Sequence, residues 1–496
     1  MNKPFRNTIL LSIVVISFLM HFKHFTKDLM SVHVWRQTET QSTINNFYEE
    51  DMNILNPRRN ARGDTEGIFR MEFPLMQWLV ACLYKIFGNH IVITRIFMFF
   101  VGILSILGIY KMLLTLFQNE TIAVIGAWTF NFSPCFYYYT INPLPDNFAL
   151  SCSIWGLALF FIWYKNQKLL TLLSSSLLLS IGALCKLPFI IYFIVPSVYF
   201  FRVIIKNGIS LKIFIRVSAA FCFIVFPVAW YVTVIPNWYG NVVLKGMADN
   251  NDSFKILLSY YFHTLTTSLP ELLLNYGSLL FFLFGFYFLF KRKSYKNPTF
   301  IVLLSLGLAV LAYYFFEANA IAKVHDYYLF PFYPILFIIV AYGAYYLLIS
   351  KIKFIRVLTI FLLLILPFTC YLRMRVRWNP DSPGFNKDLL TFKLELRNVV
   401  PNDSLVIAGN DESNFIFLYY IDKKGWGFKK NNLTAEKLLS MISKGARYLY
   451  SDSRTIESDP NLTSYFDKLI LEKGSVKVYR LKQPTTIKKQ TALPFH

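Results

Sequence analysis

The chain has 496 residues, is 55% hydrophobic and 18% aromatic, and carries a formal charge of +22 with a mean hydropathy of +0.45. That much apolar surface over such a length excludes a soluble globular protein and defines a polytopic α-helical membrane protein. The basic excess does not indicate nucleic acid, because many Lys and Arg stand in short gaps between apolar runs, where they set topology.

In chain order, hydropathy predicts about eleven spans, near 7–25, 90–110, 121–139, 147–164, 169–185, 188–205, 213–235, 271–290, 298–316, 331–350 and 355–371. The first run, Thr8 to Met20, lacks a following small-residue cleavage site and reads as a retained helix. Lys186-Leu187-Pro188 divides the fifth span from the sixth, since proline interrupts a helix. The cysteines (Cys82, Cys135, Cys152, Cys185, Cys222 and Cys370) show no C-x-x-C spacing and read as buried small hydrophobes.

Basic residues mark one side of the membrane: Lys3 and Arg6, Lys165 and Lys168, Lys206 to Arg216, Lys291 to Lys296, and Lys351 to Arg356. That side is expected to be cytoplasmic. The remaining loops then face outward. The first, 26–89, is long and carries many charges. The second centres on Asn142-Pro143-Leu144-Pro145-Asp146. A third covers 236–270, and a fourth holds Glu317, Lys323, His325, Asp326, Tyr327 and Tyr328.

After about Tyr371 charge becomes frequent and apolar runs shorten. Asp403–Gly409, Asn414–Tyr420 and Arg447–Tyr450 read as strands, and Thr434 to Ser443 as an amphipathic helix capped by Thr434. The expected organisation is a membrane domain at 1–372, including interfacial structure in 26–89, an outer α/β domain at 373–483, and a disordered tail at 484–496.

Chemistry concentrates in the outward loops. His33-Val-Trp-Arg-Gln-Thr-Glu39 packs a His, a Trp, an Arg, a Gln and a carboxylate into seven positions. Such groups at a membrane boundary are costly unless they face water, a partner or a substrate. Arg58, Arg59, Arg62 and Arg70 form a basic set, and Asp146 and Lys323 to Tyr328 follow in later loops. A carboxylate can take a proton from an acceptor hydroxyl or amine, and Arg or Lys can hold a phosphate leaving group. A sugar on a polyprenyl phosphate is such a substrate, and being already activated it needs no nucleotide loop; no G-x-x-x-x-G-K-[ST] occurs.

Each residue also has a plain structural reading. Glu39 can be a solvated carboxylate on an interfacial helix, and Trp35 an interfacial anchor. Arg58 and Arg59 can bind lipid headgroups, and Asp146 can cap the following span. His325 can be a satisfied interfacial histidine, and Lys186 can snorkel to a headgroup.

The order His33-x-Trp35-Arg36-Gln37-x-Glu39-Thr40, Glu72-Phe73-Pro74-Leu75, Asn142-x-x-x-Pro145-Asp146-Asn147 and His325-Asp326-Tyr327-Tyr328 before Pro331 and Pro334 resembles the GT-C membrane glycosyltransferases. The likeness is to the protein O-mannosyltransferase and lipid A aminoarabinose transferase type, over about 30–335. It implies a GT-C fold with interfacial helices in the first outer loop, and inverting transfer of a sugar from a polyprenyl (in bacteria, undecaprenyl) phosphate. The acceptor would be a lipid, glycan or protein at the outer face of the bacterial cytoplasmic membrane.

The resemblance makes Glu39 the general base and Asp146 the second acidic position. Related bacterial sequences usually carry Asp where this chain has Glu39, whose extra methylene adds about 1.5 Å of reach. Aminoarabinose transferases have a Lys near the motif that here reads Glu72-Phe73-Pro74, so phosphate binding falls to Arg58, Arg59, Arg62 or Lys186. His33, Trp35, Arg36, Gln37, Glu72, His325, Tyr327 and Tyr328 complete the expected substrate site. Some GT-C enzymes use a divalent metal and others none, and the carboxylates do not decide between them. An O-antigen ligase or polymerase using a lipid-linked oligosaccharide is the nearest alternative enzyme. A lipid-linked sugar transporter or flippase is the alternative from another class, though no half-to-half symmetry of broken helices supports it.

Overall fold

The computed structural model describes residues 3–238, 253–293, 297–323, 325–429 and 432–483. The tail expected from 484 lies outside them, as does 239–252 of the third loop. The chain forms two compact units. A membrane unit comprises Met1–Lys27, Met71–Met76 and His90–Val376, and a loop–sheet unit comprises Asp28–Arg70, Gln77–Asn89 and Arg377–His496. Most of the first loop therefore belongs with the C-terminal residues, whereas hydropathy alone grouped it with the spans.

Among the described residues of the membrane unit, eight helices are long and apolar enough to cross a bilayer, from Arg6–His24 to Lys353–Trp378. A ninth span arises if the pair Phe254–Leu273 and Gly277–Lys291, bent by 111°, is one crossing. Two of the eleven expected runs are helical but short. Leu169–Cys185 has 17 residues. The run 121–139 divides into Glu120–Asn131 and Pro134–Tyr139 at Ser133-Pro134, where proline starts a new helix. Helix Pro298–Lys323 runs past its expected end and so takes in Glu317.

Helix Pro145–Asn166 opens with Pro145 at its first turn and Asp146 beside the positive end of its dipole. Its neighbour Leu169–Cys185 lies close because glycines face it. A Cβ on Gly156 would sit 2.7 Å from the Leu179 side chain, and one on Gly182 would sit 2.3 Å from Ser153 Oγ. The turn between them carries Lys165 and Lys168, so Asp146 and Lys186 stand together at the opposite end of this helical pair.

The loop–sheet unit contains a polar helix, Val34–Glu49, whose residues are mostly buried. Its five-stranded sheet comprises β1 Leu405–Gly409, β2 Lys424–Gly427, β3 Tyr448–Ser451, β4 Phe466–Lys473 and β5 Val476–Leu481, in the order β2-β1-β3-β5-β4. Strand β1 pairs in parallel with β2 and β3, and β5 pairs antiparallel with β3 and β4. Helix Ala435–Ser443 carries Thr434 as its N-cap, as expected.

Asn414–Tyr420, expected as a strand, instead enters helix Ile416–Ile421. The reason lies just upstream. Asp411 accepts from the backbone N–H of Ser413 (2.8 Å) and Phe417 (2.9 Å), and Ser413 Oγ accepts from that of Phe415 (3.1 Å) and Ile416 (3.3 Å). These caps satisfy the free N–H groups of a helix start, and the apolar run is buried on all sides.

The first loop extends the sheet. Arg62 N–H donates to the Gly425 carbonyl at 2.7 Å, and Gly425 N–H donates to that of Asn60 at 3.0 Å. Gly425 is required there, since a Cβ would lie 1.8 Å from the Val406 oxygen.

Candidate functional site

The candidate residues gather into two centres, one in each unit. In the loop–sheet unit the polar helix begins after His33, which adopts a left-handed backbone (φ 55°). The His33 carbonyl accepts from the N–H groups of Arg36 (3.0 Å) and Gln37 (3.1 Å). Gln37 is fully buried and donates to the Val32 carbonyl at 2.9 Å, while Trp35 is half-buried. One turn on, Glu39 is only 7% exposed. Arg36 donates to its Oε2 at 2.7 Å and Arg59 to its Oε1 at 3.4 Å.

Arg59 is itself oriented. Its guanidinium lies 3.9 Å from the Phe69 ring centroid and 5.2 Å from that of Phe415, a cation–π arrangement that fixes the plane of the fork. Burial lowers the Arg59 pKa from its usual value, and the Glu39 charge opposes that. One buried carboxylate thus holds two guanidinium groups. Each carboxylate oxygen accepts one of these bonds and keeps a further lone pair for another donor.

Arg58 and Arg62 do not join this centre. Arg58 bonds Glu50 Oε2 at 3.2 Å, Arg62 bonds Glu50 Oε1 at 2.5 Å, and Lys424 bonds the same carboxylate. Burial alone would raise the Glu50 carboxyl, but these hydrogen bonds and charges outweigh it and hold it down to about 2. Both arginines therefore hold Glu50, and Lys424 on the same carboxylate ties the loop to β2. Arg70 bonds the Leu55 carbonyl and Asn56, each at 2.7 Å.

The second centre lies in the membrane unit. Asp146 is 2% exposed, and its Oδ1 is 3.3 Å from Lys186 Nζ. The Lys186 ammonium also lies 5.0 Å from the Tyr328 ring centroid and 5.8 Å from that of Tyr327. Lys186 points inward because the backbone is extended there (φ −157°) between Leu169–Cys185 and a 3₁₀ turn opened by Pro188. His325 Nδ1 meets the Tyr327 hydroxyl at 2.9 Å, and the ring stacks on Tyr328. Glu72 is buried in this unit. Next to it, Phe73 packs edge-on against Trp230, whose indole N–H donates to the Met71 carbonyl at 3.0 Å.

The loop that presents Asp146 is held by a residue the sequence did not single out. Fully buried Arg95 donates to Asn142 Oδ1 at 2.8 Å and to the Lys27 carbonyl at 3.0 Å. Asn142 in turn donates to the Tyr138 carbonyl, and Asn147 to that of Tyr139. The signal was available: Arg95 stands inside an apolar run, where an ionisable residue needs a role. No group of three or more His, Cys, Asp or Glu placed to hold a metal ion occurs among the described residues.

With this geometry in view, residues 72–231 match the family model of the dolichyl-phosphate-mannose-protein mannosyltransferases, a segment containing Asp146 and Lys186. No curated protein sequence matches the chain. Among solved structures it is similar to ArnT from Cupriavidus metallidurans in the apo state, at 11% identity over 96% of this chain and 98% of that one, with a TM-score of 0.66. It is similar to the same protein bound to undecaprenyl phosphate, at 12% identity over 97% and 98%, with a TM-score of 0.65. It is also similar to the oligosaccharyltransferase AglB from Archaeoglobus fulgidus, in complex with an inhibitory peptide and a dolichol-phosphate, at 12% identity over 100% and 75%, with a TM-score of 0.61. The chain shares the fold of these structures, and its long apolar helices make it a multi-pass membrane protein.

Proposed function

We propose that the protein is an inverting glycosyltransferase that takes a sugar from a polyprenyl phosphate, undecaprenyl phosphate in bacteria, and passes it to a cell-envelope acceptor. The acceptor is a lipid, polysaccharide or protein on the outer face of the cytoplasmic membrane. The observation that carries this reading is the buried set Glu39, Arg36 and Arg59, a carboxylate with two guanidinium groups on the polar helix after the first span. The undecaprenyl phosphate bound by the structurally similar ArnT supports the donor class.

In this reaction the acceptor oxygen attacks the anomeric carbon, the bond from that carbon to the phosphate oxygen breaks, and Glu39 takes the acceptor proton. Arg36 and Arg59 hold the leaving phosphate as its charge grows. Asp146 orients the sugar or the acceptor. The test is purified protein in liposomes with a radiolabelled polyprenyl phosphate sugar and acceptor lipids. Stable glycosidic product is expected. Movement of the labelled lipid without product would replace the enzyme with a transporter.

A further inference from the structure

The Asp146 centre contains a carboxylate that the proposed chemistry does not use. Glu317 is 5% exposed, near the outer end of helix Pro298–Lys323, and lies in the electrostatic field of Lys186. Glu317 and Asp146 both act on Tyr313, one turn before Glu317, which donates to the Tyr328 carbonyl at 3.1 Å. Asp146 thus pairs directly with the ammonium, and Glu317 stands further off on a neighbouring helix, linked to the centre through Tyr313 and Tyr328. Asp146 Oδ2 and Glu317 Oε2 are sealed from water and accept no hydrogen bond among the described residues. Buried acceptors without donors are costly, and such groups mark a place that a ligand completes.

The missing partners are hydrogen-bond donors, and the hydroxyls of a sugar ring supply them. Building on the proposed function, we infer that Asp146, Lys186 and Glu317 form the subsite that reads the donor's sugar hydroxyls, with Glu317 as a specificity residue. A lipid phosphate without sugar cannot satisfy these acceptors.

The test measures binding of undecaprenyl phosphate, bare or carrying glucose, mannose or galactose, to the full-length protein in nanodiscs. The wild type should prefer at least one sugar-bearing lipid over the bare one. Glu317→Leu should lower that preference ratio about tenfold, the effect of losing roughly one hydrogen-bond acceptor. Glu317→Gln keeps one acceptor oxygen and should restore part of the ratio. A wild type that binds all four lipids equally, or a ratio unchanged in both variants, overturns the subsite and leaves the donor class standing. A wild type that binds none of the four overturns both.

Discussion

The two centres are opposite in charge balance. In the loop–sheet unit one carboxylate, Glu39, holds two guanidinium groups. In the membrane unit two carboxylates, Asp146 and Glu317, share the field of one ammonium. A centre with surplus cation suits an anion such as a phosphate, and one with surplus acceptor suits hydroxyl donors. Each centre thus has its own ligand preference, and Lys186, paired with Asp146, sits in the one suited to hydroxyl donors.

The largest way to break this comparison is Lys186→Met, which leaves buried Asp146 without its ion-pair partner. Loss of one partner of a buried pair costs about 3 kcal/mol or more, so thermal unfolding in detergent should drop sharply. An unchanged melt would show that the membrane centre is not held by charge. Glu39→Gln keeps the shape but removes the proposed base. Transfer should fall by roughly 10²-fold or more, and near-normal turnover of well-folded protein would sink the assignment.

Arg59→Ala and Arg62→Ala sharpen the division within the loop. Arg59→Ala should weaken donor binding about tenfold, whereas Arg62→Ala should act mainly on stability, by roughly 1 kcal/mol. The two are separated by donor KM against melting temperature, and the reverse result would return phosphate binding to the Glu50 cluster.

The smallest effect concerns pH. Glu50 is held from its ordinary 4.5 down to about 2 in the folded protein. Its contribution is therefore present above the ordinary value and lost as pH falls through that window. Melting of the wild type should decline more steeply than that of Glu50→Gln between about pH 5 and about pH 3, and parallel curves would exclude the linkage.

Much of the membrane unit was legible in the sequence, because a bilayer imposes length and apolarity on anything that crosses it. Legibility failed where a local signal overrode hydropathy. Pro134 divided one run, and Glu317 rode inside a helix whose apolar stretch ended just before it. In the sheet, Asp411 and Ser413 turned a β-rich run into a helix. Strand β2 went unseen because Lys424-Gly-Trp-Gly427 has no alternating pattern and forms only by pairing with β1. The polar cluster at 33–39 was visible at once, but its partners were not. Adjacent Arg58 and Arg59 look equivalent in sequence, and only the fold sends one to Glu50 and the other to Glu39.

That separation of Arg58 from Arg59 decides where a phosphate would sit. The most direct measurement is a cryo-electron microscopy structure of the protein with undecaprenyl phosphate bound. The phosphate is predicted within hydrogen-bond distance of Arg36 and Arg59, with Glu50 still held by Arg58 and Arg62. A phosphate seated on Arg58 and Arg62, with Glu39 still gripped by both of its arginines, would contradict it.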